Sequence, residues 1–175
     1  ALTNTGKLAS YSETGAHLTC VGPSGGGTLH LVSSDMTGLA GMNPDPEKPD
    51  IEDFNYSYTR NLQGTSFSAP VVSGVCALML EANPNLSWRD VKEILLRSSL
   101  QVDPRSATWV KRTGNQPHLP PIKHSNLYGG GLVQAKAAVD MALGWTPLGP
   151  QISASKKIDP NLAINYTGTQ PKPDT

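Results

Sequence analysis

Charge in excess of either sign is missing from this 175-residue chain: fourteen lysines and arginines balance fourteen aspartates and glutamates, for a formal net charge of zero. With the basic residues scattered, the chain has no electrostatic footprint for nucleic acid or for an anionic membrane surface, and neither partner is expected. Cysteine is scarce, limited to Cys20 and Cys76. Two are too few for a disulfide framework. Free core thiols are expected, and a bridge between them is not inferable from spacing. No apolar run approaches the roughly 18 residues of a membrane span, and no charged-then-apolar leader opens the chain. The glycine run Gly25-Gly26-Gly27 has neither the Gly-Lys-Ser/Thr ending nor the helical pattern of a phosphate loop, so it reads as a tight surface turn.

The richest stretch is Gly64-Thr65-Ser66-Phe67-Ser68-Ala69-Pro70, an alcohol immediately ahead of a long apolar segment. No acidic, basic or histidine side chain occurs between Arg60 and Glu81. Val71, Val72, Val75, Cys76, Leu78, Met79 and Leu80 surround the helix axis, which predicts a helix buried on every side. Pro70 is expected in its first turn, where the missing N–H does no harm, and Gly74 would allow tight packing. A serine at a helix start gains peptide N–H groups and positive dipole for a developing oxyanion, but it needs a base to become nucleophilic. The bland reading is that Ser66 or Ser68 only caps the helix.

The full string GTSFSAPVVSGVCALMLEANPNLSWRDVKEILLRSS resembles the nucleophile region of subtilisin-like serine proteases, and LEANPNLSWRDVKEIL is most similar to the kexin and proprotein-convertase branch. KLASYSETGAHLTCVGPSGG upstream and HSNLYGGGLVQAKAAVDMAL downstream extend the resemblance from Ala1 to Trp145. Gln134 departs from it, standing where the family has an Asn or Asp helix cap. The resemblance implies the C-terminal portion of a doubly wound α/β domain with a mostly parallel sheet, a serine endopeptidase with Ser66 as nucleophile, and Gly64 and Thr65 supporting it. In the family's Asp, His, Ser order the first two members lie far upstream. His17 and His30 are outside the His-Gly-Thr setting of the base, and no Ser-Gly-Asn-Gly motif for the oxyanion asparagine precedes Ser66. The N-terminal remainder of the same domain is thus the implied partner, a protein or peptide is the substrate, and this segment alone should be inactive, since general-base help is worth about 10²–10⁴ in rate. The resemblance further implies preference for basic residues, a secreted or cell-envelope location, structural calcium with Glu13 of Tyr11-Ser12-Glu13 as a ligand, and no organic cofactor.

Two other classes stay open at this point. A non-catalytic subtilisin-like domain could bind or activate a partner. An α/β-hydrolase esterase would want Gly-x-Ser-x-Gly, but Ser68 occupies the second glycine position, and His118 and His124 are the only histidines after Ser66.

The remaining pattern is coarser. Residues 16–21 and 28–33 read as short strands. MNPDPEKPDIED, residues 42–53, reads as an exposed acidic loop that could attract basic substrate segments or calcium. Ser87 with Asp90 forms a capping box and Leu86 with Val91 a hydrophobic staple; Val91, Ile94 and Leu95 then line the inner face of a second helix. Residues 101–126 carry no periodicity. After Gly129-Gly130-Gly131 comes a final helix with Ala135, Ala138, Val139 and Ala142 as its packing stripe, ending near Gly144. The domain is therefore drawn as 1–145 and a polar linker or tail as 146–175. Lys111-Arg112 and Lys156-Lys157 are basic pairs of the kind kexin-like enzymes cut, though ordinary surface cations are favoured.

Overall fold

The computed structural model describes residues 1–42, 57–112 and 119–149. Strand β1 (Leu31–Ser34) pairs antiparallel with β2 (Tyr58–Leu62), and β3 (Trp109–Arg112) with β4 (Ile122–Ser125). Helices α1 (Thr65–Ala82), α2 (Trp88–Ser98) and α3 (Ala135–Leu143) carry most of the core. Parallel segments are joined by isolated bridges outside these strand pairs. Leu2 bridges Pro23 and Val21 bridges Leu132, both in parallel, and Leu132 then meets Leu100 antiparallel. The bonds from the Leu2 amide to the Gly22 carbonyl (3.0 Å) and from the Val133 amide to the Val21 carbonyl (3.0 Å) join these segments.

Val75 and Met79 of α1, Ile94 and Leu95 of α2, and Ala138 and Ala142 of α3 form the main core with Leu86 and Val133. Two alanines with no exposed surface let α3 approach α1 closely, so Met79 is sealed completely. A second cluster gathers Leu2, Val21 and Tyr128, with Trp109 stacked on the Tyr128 ring at 5.9 Å between centroids.

The α2 capping box is present in full: the Asp90 amide donates to Ser87 Oγ (3.3 Å) and the Ser87 amide to Asp90 Oδ2 (2.8 Å). At α3, Gln134 provides no side-chain cap, as its departure from Asn or Asp implies. The ordered chain continues past 145. The Trp145 indole (2.9 Å) and the Leu148 amide (2.7 Å) both donate to Asp90 Oδ1, and Arg89 donates to the Gly149 carbonyl (2.9 Å).

Several expectations need correction. Residues 16–20 form no strand; a turn closed by the Leu18 amide on the Gly15 carbonyl (3.3 Å) interrupts them, and only Val21 bridges. The second strand begins at Leu31, because Asn4 Oδ1 accepts the amides of Thr28 (3.1 Å) and Leu29 (3.4 Å) and keeps them out of the ladder. Residues 101–126 contain the β3–β4 hairpin, whose four-residue strands are too short for alternation to register. Helix α1 is not buried all round: Ser68, Val75 and Met79 are buried, while Val71, Leu78 and Leu80 are 41, 48 and 42% exposed. It is long and apolar enough to cross a membrane by length and composition alone, contrary to the expectation that no segment approaches that size. Its packing on α3 accounts for it as a domain helix. Pro70 is the sixth helical residue and not in the first turn, so the Ser66 carbonyl receives no amide from position i+4. The acidic loop beyond Met42, His118 and the tail from 150 onward, with Lys156-Lys157, lie outside the described residues.

Candidate active site

Strand β2 ends at Leu62 and the chain turns through Gln63 and Gly64 directly into α1. Gly64 has φ 137° and ψ 158°, a conformation essentially restricted to glycine, and a Cβ there would stand 3.4 Å from Ser66 Oγ. Ser66 is consequently the second residue of α1, exposed to solvent. The Thr65 and Ser66 amides precede any intrahelical acceptor and add their partial positive charge to that end of the helix. The Phe67 amide turns back onto the Gly64 carbonyl (3.1 Å).

The two serines of the motif are in opposite circumstances. Ser68 is 6% exposed, and its hydroxyl faces the carbonyls of Gly22 (3.1 Å) and Pro23 (2.9 Å), so it cross-links α1 to the segment 22–25 instead of capping the helix. A Cβ on Gly22 would lie 2.9 Å from the Ser68 carbonyl, so only glycine permits this approach. Ser24 grips Gly64 in turn: its Oγ accepts the Gly64 amide (3.2 Å) and reaches the Gly64 carbonyl (2.9 Å), with the Tyr11 hydroxyl 2.8 Å away. Neither Ser24 nor Tyr11 is singled out by motif reading. The one hint is a hydroxyl in Gly-Pro-Ser, just before the glycine turn.

No histidine among the described residues is hydrogen-bonded to Ser66. His17 and His30 are exposed. His124 is buried on β4, its Nε2 donates to the Leu18 carbonyl (2.9 Å), and its Nδ1 has no partner. The carbonyl can only accept, which fixes the proton on Nε2 and makes the ring a strut between β4 and residue 18. Cys20 and Cys76 are free thiols. Burial pushes Cys20 up to about 11, the neighbouring Cys76 adding to the effect, and burial raises Cys76 as well. Neither thiol is activated.

Beside the helix start lies a cavity of about 620 Å³, lined by Thr65, Ser68, Ala69 and Val72 of α1, Trp88, Lys92 and Leu95 of α2, and Glu13 among others. Glu13 is thus brought to the same hollow as Thr65, with its side chain exposed. Calcium takes six to eight oxygen ligands. Among the described residues no group of three or more His, Cys, Asp or Glu side chains could hold a metal ion, so Glu13 belongs to no carboxylate cluster of that size there.

A solvent-facing serine thus stands at the amino end of a long helix, on an α/β framework with parallel segments. Residues 1–141 match the subtilase family, and the chain belongs to it. It is 33% identical over 146 residues to a calcium-dependent protease of Trichormus variabilis, covering 81% of this chain and 20% of that protein. It is 42% identical over 88 residues to furin-like protease 2 of Drosophila melanogaster, covering 50% of this chain and 5% of that one. Among solved structures, the serine protease of Aeromonas sobria aligns at 27% identity with a TM-score of 0.70, over 85% of this chain and 29% of its own. The chain spans about a fifth of the length of the first of these relatives. That match establishes the fold as the C-terminal portion of a subtilisin-like domain, and kexin- and furin-like proteases are among its relatives.

Proposed function

We propose that Ser66 is the acylating nucleophile of a serine endopeptidase whose histidine base, orienting aspartate and oxyanion asparagine come from polypeptide outside these 175 residues. Ser66 Oγ attacks the peptide carbonyl carbon while the histidine takes its proton; the Ser66 amide, at the positive end of α1, faces the oxyanion. The amine leaves with that proton, and water then releases the acyl group by the same route. The observation that carries this reading is the division of labour in the motif: Ser68 is buried and bonded, Ser66 is exposed behind a glycine-only turn.

The remainder of the domain covers the open side of α1, where Val71, Leu78 and Leu80 are exposed, and the adjoining cavity. Likeness to furin- and kexin-named proteases supports peptide substrates with basic residues before the cut and a secreted or envelope location. Two relatives are named calcium-dependent proteases, which supports Glu13 as one ligand of a structural calcium completed from outside the described residues. Hydrolysis of a fluorogenic basic peptide by the full-length protein, with and without Ser66→Ala, tests the assignment. Loss of turnover to background in the variant is expected; turnover that survives it rejects Ser66.

A further inference from the structure

We infer that Ser24, backed by Tyr11, is a positioning residue that locks the turn ahead of Ser66 in its reactive geometry. This rests on Ser66 being the nucleophile. The Gly64 amide belongs to the peptide plane before its Cα and the Gly64 carbonyl to the plane after it, and Ser24 Oγ lies within hydrogen-bond distance of both, at 3.2 and 2.9 Å. One side chain therefore holds both torsions of the most permissive residue type, at φ 137° and ψ 158°. Two residues past Ser66, Ser68 is fixed to the carbonyls of Gly22 and Pro23. The segment 22–25 thus grips the chain on either side of the nucleophile while Ser66 itself stays exposed.

The proton count makes this grip robust. The carbonyls of Gly25 and Gly64 only accept, so when the Tyr11 hydroxyl donates to the first and Ser24 to the second, the 2.8 Å Tyr11–Ser24 contact is left without a hydrogen. Two hydroxyl protons serve three contacts. Whether Tyr11 donates to Gly25 or to Ser24, the Gly64 amide still donates to Ser24 Oγ. Ser24 is 4% exposed and Tyr11 half-buried, so water does not readily replace either hydroxyl.

The test is steady-state turnover of a basic peptide, with the second-order rate of fluorophosphonate acylation, in the full-length protein carrying Ser24→Ala or Tyr11→Phe. A misplacement of about 1 Å costs on the order of a hundredfold. Ser24→Ala is therefore expected to lower kcat and the acylation rate about tenfold to a hundredfold with KM within about twofold. Tyr11→Phe, which leaves the Gly64 amide held, is expected to show the same split at a smaller size. Should Ser24→Ala fail to fold, Tyr11→Phe decides by that split. A change confined to KM, or acylation at the wild-type rate, overturns the positioning role while Ser66→Ala remains inert. Acylation that persists in Ser66→Ala overturns the nucleophile assignment instead.

Discussion

Removing the Asp90 carboxylate should unlatch the end of the domain from α2. Asp90 is 1% exposed and serves four donors: the Ser87 amide and hydroxyl at Oδ2, and the Trp145 indole and Leu148 amide at Oδ1. Loss of an N-cap costs about 1 kcal/mol, and each buried donor left without an acceptor about 1–3 kcal/mol. Because the ends of the cap and the latch relax partly toward water, Asp90→Ala should cost about 3–5 kcal/mol in all. Asp90→Asn keeps the shape but turns an amide N–H₂ toward one set of donors, and should cost about 2 kcal/mol. Acid should reproduce part of this loss. Burial by itself raises the carboxyl, but the Leu148 amide, the Ser87 hydroxyl, the Trp145 indole and the Ser87 amide outweigh it and hold it below the ordinary carboxylate range. A group depressed in the folded state contributes fully above its unfolded value, about 3.9, and its contribution is lost as pH falls through the folded value. Thermal unfolding of the full-length protein, followed by tryptophan fluorescence, should show Asp90→Asn well below wild type at pH 7 and the gap narrowing below about pH 4. Equal midpoints at pH 7, or a gap unchanged at pH 3, would refute the latch.

Three further outcomes follow from the same contacts. Met79→Ala removes a side chain with no exposed surface between α1 and α3 and should cost about 2–5 kcal/mol in urea unfolding, whereas Leu80→Ala, on the open side, should cost far less in this portion of the fold. Gly64→Ala forces a Cβ into φ 137° and toward Ser66 Oγ, so fluorophosphonate acylation should fall about a hundredfold with peptide KM little changed. Cys20, raised to about 11 by burial, should resist iodoacetamide at pH 8 in the native protein and react promptly once unfolded, as mass spectrometry of the modified peptide would read.

Much of the helical half of the fold was legible because its signals are local. Ser87 and Asp90 mark the start of α2 three residues apart, and Ala138 and Ala142 mark the buried stripe of α3. Helix α1 was legible as a helix but not in its orientation: a segment apolar on every side carries no record of which side meets α3 and which stays open. The hairpins escaped because β3 and β4 each have four residues, and β1 starts late owing to Asn4, twenty-four residues before Thr28. The places of Gly64 ahead of α1 and of Ser66 at its start could be read from their motif. Ser24 could not, since its meaning lies in a contact forty residues away.

The central claim is that Ser66, held between two clamped neighbours, is the atom donor to the acyl-enzyme. Peptide mapping by mass spectrometry after fluorophosphonate treatment of the full-length protein tests it most directly. A single adduct on Ser66, lost in Ser66→Ala, is the result this account predicts; an adduct on Ser68 or elsewhere, or peptide hydrolysis with Ser66 unmodified, would contradict it.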